Sequence, residues 1–246
     1  MNFSGMPNRT VLGKILRAPL RLIPKEMAVP IIQGPLKGKR WIAGSSNHGC
    51  WLGSYEYEKQ KSFIKRVKPG DVVFDIGANV GFYTLLASVL VGSEGRVIAF
   101  EPLPRNLVYL NRHMKMNHCL NVNVLPYAVS DCEMTAEFTF SKDPSMGHLC
   151  TKGDIAVQTV LIDKLIESKK LFPPDVMKID VEGAELSVLR GSHQVIKGKR
   201  PIIFVATHGI SARRGCMEFL GSVDYHLTPI GDSSITHCDE IIAEPF

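Results

Sequence analysis

"FDIGANVGFYT", residues 74–84, carries an apolar strand onto an acid, through a glycine turn and into a helix. Gly77 and Gly81 permit a tight turn and close backbone approach, and amides at a helix start can receive an anionic group. The dinucleotide pattern G-x-G-x-x-G is absent, because Ala78, Asn79 and Val80 separate the two glycines and Phe82 follows. No Gly-Lys-Ser/Thr completes a phosphate loop after them. Asp75, near the strand tip, would repel a pyrophosphate and attract an ammonium group.

Outward from this turn, apolar runs of strand length alternate with helical stretches. Strands are predicted over 72–76, 97–101, 122–125, 176–181 and 202–206, with helices over 80–91, 104–117, 183–196 and 211–221. That alternation predicts an α/β fold, a doubly wound and mostly parallel sheet with right-handed crossovers and helices on both faces. Two departures are expected. β-type runs within 133–161 predict a hairpin insertion, and runs at 225–230 and 240–243 predict an antiparallel pair at one sheet edge.

The 246 residues suffice for one substantial core, and a hydrophobic share of 45% with 22% charged residues excludes a disordered or fibrous chain. No apolar run reaches membrane-spanning length and the start lacks a secretory pattern, so a cytoplasmic location is expected. Six cysteines without a CxxC suit reduced thiols. The net charge of +5 is concentrated before residue 41. Residues 1–69 therefore read as a basic segment with a helical lead-in, and 70–246 as the ligand-binding domain. Within residues 10–25 apolar and basic stripes recur at helical spacing. Such a helix either docks on the protein's own body or makes peripheral contact with an anionic membrane.

Ligands of open α/β sheets bind at the carboxyl ends of the strands, where strand order reverses. Glu101 ends the second strand there, and its two oxygens could accept both hydroxyls of a ribose. An amino-acid end held by Asp75 plus a ribose held by Glu101 describes S-adenosylmethionine. The segments "DIGANVGFYT", "AFEPLPRN", "AVSD" and "KIDVEGAELSVLRG" occur in this order. Together they resemble the FkbM family of S-adenosylmethionine-dependent methyltransferases, with a class I, Rossmann-like fold, which mostly methylate oxygen on sugars and natural products. The resemblance runs from about residue 53 to 208. It implies that Asp75, Gly77, Ala78, Asn79 and Gly81 hold the methionine end, that Glu101 holds the ribose, and that Ser130 and Asp131 lie near the adenine. It also places Glu56, in "LGSYE", beside the cofactor.

Methyl transfer needs an aligned acceptor and a way to remove its proton. Asp180 ends the fourth strand in "MKIDVEGAEL", facing the crevice, with Glu182 and Glu185 just beyond. His208 follows the fifth strand, and an imidazole of near-neutral pKa is the leading candidate for the base. The acids could also hold a divalent metal, although Ala206 stands where the family commonly has an acid, and no metal is predicted. The expected activity is O-methylation of a sugar, glycolipid or secondary metabolite. Two alternatives are a nucleic-acid methyltransferase, prompted by the basic opening, and a non-catalytic scaffold docked at a membrane. Acids after the fourth strand disfavour a phosphate backbone, so no nucleic-acid partner is expected.

Overall fold

The computed structural model describes residues 19–140, 147–150, 155–231 and 238–246. Most of the amphipathic segment expected over 10–25 lies outside them; of it, Pro19–Leu22 forms a short 3₁₀ turn. Among the described residues no helix is long and apolar enough to cross a membrane.

The expected sheet is present. Strands β1 (Ala28–Pro30) and β2 (Arg40–Ile42) pair in a separate antiparallel ribbon, and β3 (Val72–Ile76), β4 (Arg96–Phe100) and β5 (Val122–Leu125) begin the main sheet. Then come β6 (Ala128–Val129), β7 (Thr135–Phe140), β8 (Gly147–Cys150) and β9 (Ile155–Val160), followed by β10 (Val176–Ile179), β11 (Ile202–Ala206), β12 (Tyr225–Pro229) and β13 (Glu240–Pro245). The main sheet has seven strands in the order β12-β13-β11-β10-β3-β4-β5; β13 runs antiparallel to both its neighbours and the other pairs are parallel. Strand order reverses beside β3, so the glycine turn after it opens at the switch point. The insertion exceeds a hairpin: β6 to β9 form a four-stranded sheet of order β6-β9-β7-β8.

Alternation along the strands builds two apolar layers. Val73, Val97, Val176 and Phe204 face one way, under helices α2 (Tyr57–Arg66), α3 (Phe82–Val91) and α4 (Pro104–Met116), whose Phe63, Leu85, Leu86 and Leu110 are buried there. Phe74, Phe100, Met177, Ile179, Ile203 and Val205 face the other way. They lie under α6 (Glu185–Arg190), α7 (His193–Lys199) and α8 (Ile210–Ser222). Helices α1 (His48–Leu52) and α5 (Ile162–Glu167) are short connectors.

The helix predicted over 183–196 is two helices, broken at Gly191. A Cβ there would lie 2.0 Å from the Ser130 carbonyl oxygen, so only glycine lets the chain pass this close. The strand predicted to reach 181 stops at Ile179, because Glu182 and Gly183 both take positive φ, 55° and 104°, and turn the backbone sharply.

The lead-in is built into the same core. Trp41 is fully buried and stacked on His113, with ring centroids 3.8 Å apart. That imidazole bridges two elements: the Ile42 amide donates to Nε2 at 3.1 Å, and Nδ1 lies 2.7 Å from the Val80 carbonyl. The partners define a neutral ring with its proton on Nδ1. Burial pushes the pKa down to about 4, only partly offset by the Val80 bond. A neutral histidine thus ties β2 to the glycine loop.

Candidate active site

The carboxyl ends of β3, β4, β10 and β11 surround a cavity of about 380 Å³. At its floor the loop after β3 is shaped by close approach. Gly77 has φ +75°, and a Cβ there would sit 1.9 Å from the Asp180 carbonyl oxygen, so no other residue fits. Gly77 and Ala78 donate their amides to Phe100 O at 3.0 Å each, and Asn79 turns at φ +50°. Glu101 secures the turn from the neighbouring strand. Its Oε2 accepts the Asn79 amide at 2.8 Å, and its Oε1 accepts the Leu103 amide at 2.9 Å and Asn106 Nδ2 at 3.3 Å. Burial raises its pKa, and these donors partly offset that. Glu101 lines the cavity as expected; Oε1 already accepts two hydrogen bonds, and Oε2, which accepts one, retains a lone pair for a hydroxyl donor. Gly77, Ala78 and Asn79 line it too, whereas Gly81 packs behind, where a Cβ would meet Leu110 at 2.3 Å.

Asp75 is not where the sequence reading put it. It does not line the cavity: it is 1% exposed, its Oδ2 accepts from Thr84 Oγ1 at 2.6 Å, and its Oδ1 lies 3.2 Å from Lys178 Nζ. The cause is register, since Asp75 and Lys178 are direct partners on adjacent parallel strands. Lys178 is buried and also donates to the Gly77 carbonyl at 2.8 Å. Asp75 therefore supports the loop from below through this lysine. Lys178 is thus an ion-pair partner of Asp75 and not a surface lysine.

Ser130 and Asp131 also lie off the cavity wall; Tyr127, Ala128 and Val129 take that side. Ser130 is buried and bonds Asp131 at 3.3 Å, under the close packing of Gly191.

Asp180 does face the cavity, and its two oxygens look different ways. Oδ2 is 3.5 Å from Lys59 Nζ and 3.7 Å from Lys178 Nζ, while Oδ1 is 3.8 Å from His208 Nε2. Burial would raise its pKa, but Lys178, Lys59 and His208 outweigh burial and hold the carboxyl below its usual range. Lys59, from α2, is 3% exposed and also meets Glu56 at 3.2 Å and Glu240 at 2.9 Å. Burial would lower its pKa, but the three carboxylates hold it above the usual lysine range. Glu56 stands at the cavity as expected, at the start of α2. Lys59 and Glu240 escaped the sequence reading, Lys59 because a lysine in a polar helix looks like a solvated one. Its position three residues after Glu56 was the available signal.

His208 reaches the cavity mouth, but not as a neutral base. Its Nδ1 lies 2.7 Å from Oε1 of the fully buried Glu185, and its Nε2 lies 3.5 Å from Glu182 Oε2. The Glu185 bond, helped by the charges of Glu182 and Asp180 and opposed by burial, lifts its pKa to about 9. At neutral pH the ring is therefore a cation. Glu185 itself faces inward and accepts the Gly183 amide at 2.9 Å.

Comparison with known proteins agrees with this layout. A family model described as "Methyltransferase FkbM domain" matches residues 75–235. Hexuronic acid methyltransferase AglP of Haloferax volcanii is 25% identical over 162 residues, 64% of this chain and 65% of that protein. The 31-O-demethyl-FK506 methyltransferase FkbM of Streptomyces tacrolimicus is 28% identical over 159 residues, 51% of this chain and 60% of that one. The chain thus spans under two thirds of the length of these relatives. Among solved structures, methyltransferase FkbM from Methylobacillus flagellatus KT aligns with TM-score 0.53 and 17% identity, covering 80% of this chain and 53% of that one. Precorrin-6y C5,15-methyltransferase from Geobacter metallireducens GS-15 aligns with TM-score 0.51 and 16% identity, covering 77% and 88% respectively. These likenesses bear out the doubly wound class I methyltransferase fold.

Proposed function

The chain belongs to the FkbM methyltransferase family, and on that premise we propose that it moves a methyl group from S-adenosylmethionine to a hydroxyl of a sugar, glycolipid or secondary metabolite. The observation that carries this reading is the cavity itself. One wall offers Glu101, locked against the glycine turn, and the other offers Asp180, Glu56 and Glu240. The residues fit a cationic ligand. Glu240 Oε2 is buried without a hydrogen-bond donor, and Glu56, Asp180 and Glu240 outnumber the neighbouring Lys59 and Lys178. With Asp75 withdrawn, Asp180 and Glu56 are the acids in position for the ammonium of the methionine end, and Glu101 for the ribose. The names of these two curated relatives speak of a hexuronic acid and of the 31-O position of FK506, which supports an oxygen acceptor.

When bound, the sulfonium supplies a methyl group already activated toward an oxygen nucleophile. The chain's own task is to hold the acceptor hydroxyl in line, exclude water and take the proton released as the oxygen–carbon bond forms and the carbon–sulfur bond breaks. Glu182, at the cavity rim, is placed to accept that proton on its carboxylate. His208, charged at neutral pH, orients Glu182 and Asp180 rather than acting as the base. The acidic rim also disfavours a nucleic-acid acceptor, whose phosphates would be repelled.

Calorimetry with S-adenosylmethionine tests the reading, followed by a labelled-methyl screen of glycans and metabolites. The wild-type chain should bind the cofactor, and Glu101→Ala should bind it at least tenfold more weakly, about 1.4 kcal/mol. No measurable binding by the wild-type chain would end the proposal.

A further inference from the structure

The rim of the cavity holds a constellation that cofactor binding does not require. Asp180, Glu182 and His208 each bring one ligand-type atom to a common point, all within 4.8 Å of one another. His208 Nε2 is 3.8 Å from Asp180 Oδ1 and 3.5 Å from Glu182 Oε2. Neighbouring ligand atoms around a small divalent cation lie roughly 3–4 Å apart, so these side chains need little movement to share one.

Three further features distinguish this group from an ordinary acidic patch. The imidazole is aimed from behind: Glu185, fully buried, holds Nδ1 at 2.7 Å and is itself held by the Gly183 amide, which leaves Nε2 directed at the two carboxylates. A carboxylate behind a histidine is the support that orients metal-binding imidazoles. Asp180 is divided in the same sense, since the lysines occupy Oδ2 and leave Oδ1 toward His208. The charge is also unbalanced. Glu185 Oε2 and Glu240 Oε2 are buried without a hydrogen-bond donor, and a sulfonium ligand of one net positive charge would leave the surroundings of Lys59, Lys178 and His208 still negative.

We propose that Asp180, Glu182 and His208 form a site for one divalent cation of the Mg²⁺ or Mn²⁺ class, which receives the acceptor's hydroxyl oxygen. The site stands on the geometry alone; only its role toward an acceptor rests on the methyl-transfer reading. Two carboxylates with one imidazole suit these oxygen-seeking ions, and Ala206 on the cavity wall leaves coordination positions to water and acceptor. Binding the cation would displace the Nε2 proton that His208 carries in the metal-free protein and would make Glu182 a ligand in place of the base; the cation would lower the pKa of an attached hydroxyl, so that water takes its proton.

The test uses the full chain, stripped with chelator and titrated with MnCl₂ by calorimetry and by the loss of the free-ion electron paramagnetic resonance signal. One Mn²⁺ per chain is expected. Glu182→Gln and His208→Asn should each weaken uptake at least tenfold, while Glu133→Gln, an exposed acid paired with Lys164, should leave it unchanged. Thermal melts show whether each variant is folded, and either substitution suffices if the other is not. S-adenosylmethionine is titrated separately in chelator. Cofactor binding without Mn²⁺ uptake overturns the cation site and spares the methyl-transfer reading; Mn²⁺ uptake without cofactor binding does the opposite. Absence of stoichiometric uptake up to about 1 mM, the weak end of protein cation sites, refutes the site, as does uptake unchanged in both variants.

Discussion

Replacing Lys59 with methionine should destabilise the protein, because this one ammonium holds three carboxylates. Methionine fills much of the same volume, so packing changes little, but Glu56, Asp180 and Glu240 lose a partner at 3.2, 3.5 and 2.9 Å. Removing one member of a buried ionic network costs about 3–5 kcal/mol. The three acids keep side-chain exposures of 26%, 23% and 31%, so water screens part of the loss and the low end applies, about 3 kcal/mol. For a chain of this size that lowers Tm by about 6–12 °C. The pH dependence has a definite sign. The folded pKa of Asp180 is depressed, so its stabilisation is present above the unfolded value and is lost as pH falls through the folded one. Without Lys59 that folded value rises, and the acids can relieve their repulsion by taking up protons at mildly acidic pH. Scanning calorimetry should therefore show a gap between variant and wild type that is widest at neutral pH and narrows on acidification. Lys59→Met combined with Glu240→Met should recover part of the loss. A Lys59→Met variant melting within about 1 °C of wild type at neutral pH would refute the counter-ion argument.

Two further outcomes follow from the site. Gly77→Ala puts a methyl group 1.9 Å from the Asp180 carbonyl at φ +75°; a thermal melt should show a loss of at least about 3 kcal/mol, and calorimetry should show no cofactor binding. Glu185→Gln removes the chief cause of the raised His208 pKa, so an NMR titration should show the imidazole moving from about 9 toward 6.5. The sign for stability is opposite to that of Asp180: the raised value contributes fully below the unfolded pKa and is lost as pH rises through about 9, so wild type and Glu185→Gln should converge at alkaline pH.

The sheet was legible because apolar runs of strand length and helical stretches alternate plainly from residue 72 onward. Its antiparallel edge was legible too, from the polar turn between the last two runs. The need for glycine at 191, between the two helices, was not, since it comes from the close approach of Ser130, 61 positions earlier in the chain and invisible to local propensity. The same limit explains Asp75. A strand tip can be read from sequence, but which way a carboxylate turns depends on the residue opposite it, and only the pairing of β3 with β10 puts Lys178 there. Glu101 and Asp180 were legible because position at a strand end was enough to bring them to the cavity, whereas Glu56 was reached through the family resemblance. The charge state of His208 depends on Glu185, which the sequence places just beyond the fourth strand and which only the fold brings against the imidazole.

His113 carries a consequence for how the empty and filled protein relate. One uncharged ring accepts the Ile42 amide and bonds the Val80 carbonyl, so the ribbon near the chain's beginning and the turn beneath the ligand share a single rigid link. Stiffness gained at either end is then shared by the other, and linkage makes the effect reciprocal. A ligand that quiets the turn also quiets residues 40–42, and whatever grips that ribbon from outside tightens the ligand's seat in return.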